Sequence, residues 1–159
     1  MSQSWLFILR FSAASLAQFA LLLAAPVRPS VDRFSEQLAA VSAFLICAVG
    51  GTCEQQADML SLPDQTFRLE ILDGCNGVNV VILLWSALIA YPASWKWRAV
   101  GMLGGLVAIQ SFNLLRIISL FYLGQFSRDA FDFAHLYLWE TLIILDAMLI
   151  FGLWSRRTK

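Results

Sequence analysis

Charged residues and potential metal ligands are scarce in this sequence. Asp, Glu, Lys and Arg make up 14% of the 159 residues, whereas 59% are hydrophobic. The basic residues form no run with interleaved aromatic residues, which excludes the pattern typical of nucleic-acid binding. The single histidine, His135, and the three cysteines, Cys47, Cys53 and Cys75, fit no zinc-ligand spacing. We therefore expect neither a metal ion nor another cofactor.

The chain also lacks internal repeats, linkers and low-complexity tracts, so we expect residues 1–159 to form a single domain. Soluble domains are roughly 45–50% apolar. The higher apolar content of this chain predicts that the lipid bilayer is the solvent for much of its surface.

Long apolar segments predict an all-α integral membrane bundle. A spanning helix needs about 20 apolar residues, and four segments approach that length, at about residues 5–25, 78–91, 100–123 and 136–154. A fifth segment, residues 38–50, fits either a short span or a helix that lies at the membrane interface. We expect about five transmembrane helices.

A short external β-hairpin is predicted before the third of these helices. Pro63 and Asp64 form a turn signal. After the turn, Phe67, Leu69 and Ile71 alternate with polar residues, which is the two-residue period of a strand. The hairpin ends just before Cys75.

The orientation follows from the basic residues, because loops rich in Lys and Arg stay in the cytoplasm. If residues 38–50 span the membrane, the side of Cys75 holds only two of them, Arg68 and Arg128. The other side then holds seven, namely Arg28, Arg33, Lys96, Arg98, Arg156, Arg157 and Lys159. If residues 38–50 lie on the surface, Arg28 and Arg33 move to the Cys75 side and the N-terminus becomes cytoplasmic. Both alternatives place Cys75 outside.

Cys75 lies at the start of a predicted helix, in the stretch GCNGV. The unpaired N–H groups of a helix N-terminus lower the pKa of a nearby thiol and favour the nucleophilic thiolate, whereas the Asp73 carboxylate acts in the opposite direction. A packing cysteine is the alternative interpretation.

Two further residues come from the next two predicted helices. Arg116 lies inside an apolar segment, where a charge indicates function or a structural ion pair with Glu140 or Asp146. His135 opens the last helix, and on its own it fits an interfacial polar residue. With Cys75 the two suit acyl transfer, with the thiol as nucleophile, the imidazole as acid–base group and the guanidinium as oxyanion partner. Glu140 is a candidate for orienting His135 or Arg116.

Three motifs in this order, GCNGV, NLLRIISLFYLG and AHLYLWE, resemble the exosortase/archaeosortase family, most closely the short exosortase H type. The resemblance covers about residues 67–154. It implies that Cys75, Arg116 and His135 are catalytic and that Asn113 is a supporting residue. Many longer exosortases have Ala-Cys-Ser-Gly at the first motif, where this chain has Gly-Cys-Asn-Gly, so Asn76 and Gly77 are further supporting candidates.

The resemblance also implies a multi-pass protein of the bacterial inner membrane whose active site faces the periplasm. Its expected activity is that of a cysteine transpeptidase or protease. Its expected substrates are exported proteins with a C-terminal sorting signal that consists of a motif, a transmembrane helix and a basic tail. Transfer to an acceptor of unknown identity and hydrolysis both remain open.

Two other functions fit the composition. One is a non-catalytic assembly or scaffold subunit of the membrane. The other is a small transporter, which Arg116 and Asp146 favour, although the chain has no evident inverted repeat. The small-residue run GMLGGLVA predicts close helix contact, either within the chain or with a substrate helix.

Overall fold

A computed structural model describes residues 2–157; Lys159, one of the basic residues counted above, lies outside the described residues. The predicted all-α membrane bundle is confirmed, with one small sheet. The elements in chain order are α1 (Gln3–Leu22), α2 (Arg28–Ala48), β1 (Glu54–Gln56), β2 (Met59–Ser61), β3 (Arg68–Glu70), α3 (Val78–Ala90), α4 (Trp95–Phe126), α5 (Arg128–Phe133), a π-helical segment (Ala134–Leu138) and α6 (Trp139–Arg156).

Three helices of the described chain are long and apolar enough to cross a membrane, fewer than the five or so predicted. They are α1, α4 and the continuous helix Arg128–Arg156. The apolar helix α3 has 13 residues and is about 20 Å long, whereas the hydrocarbon core is about 30 Å thick. The remaining helix, α2, has a charged first half with Arg28, Asp32, Arg33 and Glu36.

Helix α2 lies across the end of the bundle that contains Cys75. Near its start, Arg28 forms a 3.2 Å ion pair with Asp73. Just after its end, Gly51 packs against the hydroxyl of Tyr122, which lies in the last turns of α4. Between these points, its buried residues Leu38 and Ile46 join the core cluster of the sheet and α4. Because both ends of α2 lie at the same end of the bundle, α2 does not span it.

The N-terminal end of α1 therefore lies at the opposite end, together with the C-terminal end of α6. The ring of Phe7 lies 6.3 Å from that of Phe151. Further along α1, the Gln18 amide donates a 2.8 Å hydrogen bond to Ser86 Oγ of α3. This arrangement decides between the two predicted topologies in favour of the surface position of residues 38–50.

The position of α2 also changes the distribution of charge. Arg28 and Arg33 join Arg68 and Arg128 at the Cys75 end. The distribution of seven basic residues on one side and two on the Cys75 side, which required residues 38–50 to span the membrane, is therefore wrong. The Cys75 end carries most of the acidic residues, Asp32, Glu36, Glu54, Asp58, Asp64, Glu70, Asp73, Asp129 and Asp132. The opposite end of the described chain carries no Asp or Glu and has four basic residues, Lys96, Arg98, Arg156 and Arg157.

The predicted hairpin corresponds to β2 and β3, which pair antiparallel with Leu60 opposite Leu69. Its turn is held by Asp64, whose Oδ1 accepts hydrogen bonds from the Thr66 N–H at 3.1 Å and the Thr66 hydroxyl at 2.8 Å. The sheet has a third strand, β1, which pairs with β2. Its residues are polar and exposed, so no alternation of apolar residues indicated it.

The small-residue run of α4 serves packing within the chain. A Cβ atom at Gly101 would lie 2.6 Å from Nε1 of Trp154 on α6, and one at Gly105 would lie 2.5 Å from Cδ2 of Leu84 on α3. Gly104 faces open space. Gly101 and Gly105 therefore let α4 pack closely against α6 and α3. This packing fixes the relative positions of the three helices that lead to the Cys75 end.

Topology reporters test the position of α2. Reporters fused before Gln3 and after Arg157 are expected to report the same side of the membrane, and a reporter inserted in the turn at residues 63–66 the opposite side. Paired alkaline phosphatase and fluorescent-protein fusions measure this. Opposite sides for the first two fusions would contradict this arrangement of α1, α2 and α3.

Candidate active site

The loop that carries Cys75 is held by its neighbours on both sides. Gly74 and Gly77 have φ values of +93° and +76°, a left-handed conformation that favours glycine. Asn76 Oδ1 accepts a 3.1 Å hydrogen bond from the Val78 N–H and so caps the first turn of α3. The stretch GCNG thus places the cysteine in a tight bend directly before the helix.

Contacts from two other helices fix the same loop. The Asn76 amide donates a 3.2 Å hydrogen bond to Ser35 Oγ of α2. The Gln110 amide of α4 donates a 3.2 Å hydrogen bond to the Asn76 carbonyl. Asn76 is 1% exposed, so its bonds are shielded from solvent. The residue next to the cysteine is therefore buried and hydrogen-bonded to α2, α3 and α4.

The structure brings Cys75, His135 and Arg116 together. Cys75 Sγ lies 3.3 Å from His135 Nε2 and 3.9 Å from Arg116 Nη2. The first distance is within hydrogen-bond reach of a sulfur atom. Each residue comes from a different element, namely the loop before α3, the π-helical segment and α4. Their catalytic roles remain a prediction, but the required proximity is present.

Arg116 makes the ion pair that the sequence left open, and its partner is Glu140. The distance from Nη2 to Glu140 Oε1 is 2.8 Å, with the arginine side chain 2% exposed and the glutamate side chain 49% exposed. Asp146, the other candidate, has its buried Oδ2 without a hydrogen-bond partner within residues 2–157. Arg116 thus contacts both Glu140 and the thiol. The predicted ion pair is present, and the catalytic role of Arg116 stays a prediction.

The site lies far along α4 from the basic end. Helix α4 begins at Trp95, in a Trp-Lys-Trp-Arg stretch typical of an interface. Arg116 follows about 31 Å further along the axis, at about 1.5 Å per residue. This length matches the hydrocarbon core of about 30 Å.

A change of helix type positions His135. Ser127 caps α5, since its Oγ accepts a 3.3 Å hydrogen bond from the Ala130 N–H. The helix then widens to π geometry at Ala134–Leu138 before α6 continues. Phe131 stacks on the imidazole with ring centroids 5.6 Å apart and an angle of 9°. The stacking and the π turn together hold Nε2 towards the sulfur.

Burial, and not the helix N-terminus, controls the acidity of Cys75. Desolvation raises the pKa of the Cys75 thiol above its usual value; Arg116 lowers it and Glu140 raises it by smaller amounts. The sequence indicated two opposing influences on this pKa, the helix N-terminus and Asp73, and did not reveal that desolvation would be the largest one. Cys75 is a neutral thiol at neutral pH, and it needs an adjacent base to become a nucleophile.

Asn113 and Gly77, two predicted supporting residues, lie against each other beside this loop. A Cβ atom at Gly77 would lie 3.4 Å from Cγ of Asn113. The Asn113 side chain is fully buried, and neither of its amide atoms has a hydrogen-bond partner among the described residues. The same Cβ atom would lie 3.1 Å from Gln110 Nε2, and the φ of +76° is strained for any other residue, which together explain the second glycine of the motif.

Sequence reasoning missed Gln110 and Phe131. Gln110 precedes Asn113 by three residues and Arg116 by six, so a polar helical face was a usable signal inside this apolar helix. Phe131 precedes His135 by four residues, the spacing of neighbours on a helix surface. No group of three or more His, Cys, Asp and Glu residues that could hold a metal ion occurs in residues 2–157.

Cys75, Arg116 and His135 line one small depression. Its other lining residues are Leu69, Glu70, Ile71, Ile117 and Leu120. Larger clefts lie between α1, α2 and α3, and none of the three residues lines them. The arrangement in the depression suits a thiol that transfers its proton to a neighbouring imidazole while a fixed guanidinium faces the developing charge.

Comparison with known protein families identifies the family of this chain. The family model of transmembrane exosortases (Exosortase_EpsH) matches residues 4–153, nearly the whole chain. No curated protein and no solved structure matches the chain significantly. The matched region includes Cys75, Arg116 and His135. The chain is thus a member of the transmembrane exosortase family.

Proposed function

We propose that this exosortase is a membrane-embedded cysteine transpeptidase or peptidase that cleaves the C-terminal sorting signals of exported proteins. The observation that carries the proposal is the contact of Cys75 Sγ with His135 Nε2 at 3.3 Å, with Arg116 Nη2 at 3.9 Å from the same sulfur. A half-buried thiol, a base within reach and a fixed cation are the parts that acyl transfer requires.

The first half of the reaction forms a thioester. His135 Nε2 accepts the Cys75 S–H proton as the sulfur attacks the carbonyl carbon of the scissile peptide bond. Arg116 stabilises the oxyanion of the tetrahedral intermediate. As that intermediate collapses, the C–N bond breaks, and His135 returns the proton to the leaving amine. The C-terminal fragment leaves, and the N-terminal fragment stays on Cys75 as an acyl-enzyme.

The second half releases the substrate. Water or the amine of an acceptor gives a proton to His135 and attacks the thioester carbon. The C–S bond then breaks, and the Cys75 sulfur regains a proton. Water gives hydrolysis and an amine gives transpeptidation; the same residues serve both outcomes.

Glu140 acts in this scheme by positioning Arg116. Its carboxylate contacts the guanidinium at 2.8 Å, on the residue that also reaches the sulfur. A bound carboxylate restricts the arginine to one direction, so that its remaining N–H groups stay available for an oxyanion.

The location of the site suits a substrate held by a transmembrane helix. We propose that the protein lies in the bacterial inner membrane with its basic end in the cytoplasm, where Lys96, Arg98, Arg156 and Arg157 flank the spans directly. The depression around Cys75 then faces the periplasm. An exported protein arrested by its C-terminal helix would present its scissile bond at this level.

Substitution of the thiol tests the proposal. Cys75→Ala should reduce processing of an exported protein with such a signal by at least about 10³-fold, because it removes the nucleophile. Cys53→Ala is the matched control, since Cys53 is a half-buried cysteine outside the site, and it should process normally. Immunoblots of precursor and product in membranes measure both. Normal processing by Cys75→Ala, at an equal amount of membrane-inserted protein, would contradict the proposal and favour a scaffold role.

The charges around the sulfur predict opposite shifts in thiol reactivity. Because Glu140 raises and Arg116 lowers the pKa of Cys75, Glu140→Gln should move the pH of half-maximal alkylation down, and Arg116→Met should move it up. The rate of iodoacetamide labelling against pH, followed on the Cys75 peptide by mass spectrometry, measures this. Asp132→Asn, a nearby carboxylate on the same helix as His135, is the control and should leave the profile in place. Shifts in the same direction for both variants would disprove the assigned charges.

A further inference from the structure

Strand β3 has one edge without a partner. The sheet order is β1-β2-β3, so β2 covers one side of β3 and the other side is the edge of the sheet. No described residue forms a backbone or side-chain hydrogen bond to the main-chain groups of Arg68 or Glu70 on that outer side. Such an edge is a template for an additional strand.

The register shows which groups face outward. The Leu62 N–H donates to the Phe67 carbonyl at 3.1 Å, and the Ile71 N–H donates to the Asp58 carbonyl at 3.0 Å. In an antiparallel pair the residues bonded to the partner alternate with residues that face away. Residues Phe67, Leu69 and Ile71 therefore bond towards β2. The N–H and C=O groups of Arg68 and Glu70 point to the open edge.

This edge adjoins the candidate active site. Leu69, Glu70 and Ile71 line the depression that contains Cys75 and His135. A peptide chain paired with β3 would run past the sulfur in an extended conformation. An extended peptide presents its carbonyl groups in a regular way, which is the geometry a nucleophile needs in order to reach one of them.

We propose that the open edge of β3 binds the exported substrate around its scissile bond as an added β-strand. The inference rests on the proposed peptidase function and specifies how its substrate is held. The Arg68 and Glu70 N–H and C=O groups supply main-chain hydrogen bonds. The depression receives alternate side chains, so the substrate is read with a period of two residues.

A second copy of this chain is a poorer occupant than a substrate peptide. The edge is only three residues long, and its side chains Arg68 and Glu70 are exposed and charged. Short edges with charged residues discourage pairing between identical sheets. A substrate peptide is also delivered to this edge by the membrane helix that follows it, which raises its local concentration.

Proline variants test the inference in membranes. Glu70→Pro removes the outward N–H and leaves the bonds of β3 to β2 in place; we expect processing to fall about tenfold, the effect of one lost hydrogen bond of about 1.4 kcal/mol. Glu70→Ala, which keeps the N–H, should reduce processing far less. Gln55→Pro is the matched control, because Gln55 lies opposite Leu60 at the far edge of the sheet, and it should process normally. Equal processing by Glu70→Pro and Gln55→Pro would overturn the inference.

A substrate-side experiment applies if Glu70→Pro does not accumulate in membranes. The wild-type protein in nanodiscs is given synthetic peptides that contain the motif, helix and basic tail of an exported protein processed in wild-type membranes. A single backbone N-methyl group is moved residue by residue along the motif. Cleavage should be lost at every second residue. Loss at all residues, or at none, would overturn strand pairing.

The two proposals can fail separately. If Cys75→Ala still processes the exported protein, the peptidase function fails whatever the proline variants do. If Cys75→Ala blocks processing but N-methylation has no two-residue period, the peptidase function stands and only the strand pairing at β3 is wrong.

Discussion

The buried guanidinium of Arg116 is the constraint on which the site depends. A buried charge that has no partner is costly, and the Arg116 side chain is buried, so the fold must bring a carboxylate to it. Glu140 meets that need at 2.8 Å. Because Glu140 follows His135 by little more than one turn, the ion pair also fixes the height of the imidazole relative to α4. The same guanidinium lies 3.9 Å from Cys75 Sγ, so one charge sets the positions of all three candidate groups.

Burial then determines how the sulfur can act. Arg116 and Glu140 have opposite effects on the pKa of Cys75, and desolvation is the largest cause of its rise. The resting thiol is therefore protonated and a poor target for oxidants, which react with thiolates. In the proposed mechanism deprotonation is coupled to attack, and the imidazole lies within reach of the sulfur at 3.3 Å. This explains why a histidine accompanies the cysteine although Arg116 is already close by.

Apolar length predicted the helices to within a few residues at several ends, because a spanning segment must satisfy its backbone internally. The position of residues 38–50 was harder to predict, because they form only the second half of α2. The charged first half of that helix, Arg28–Glu36, lies at the surface, where Arg28 pairs with Asp73. The proximity of Cys75, Arg116 and His135 could be inferred from three motifs at one membrane level. The pKa of Cys75 and the choice between the two candidate partners of Arg116 could not be inferred, because both depend on packing between elements distant in sequence. The π turn at Ala134–Leu138 could not be predicted either, because nothing in the local sequence signals it.

The position of the site joins these features to a membrane substrate. The surface helix α2 and the small sheet cover the Cys75 end, and the depression opens beside β3. The most direct measurement of the central claim is mass spectrometry of the protein quenched in acid during turnover of a sorting-signal substrate. We expect the N-terminal product to be attached to Cys75 through a hydroxylamine-sensitive thioester. Cleavage that proceeds with the product attached to a different residue would contradict it.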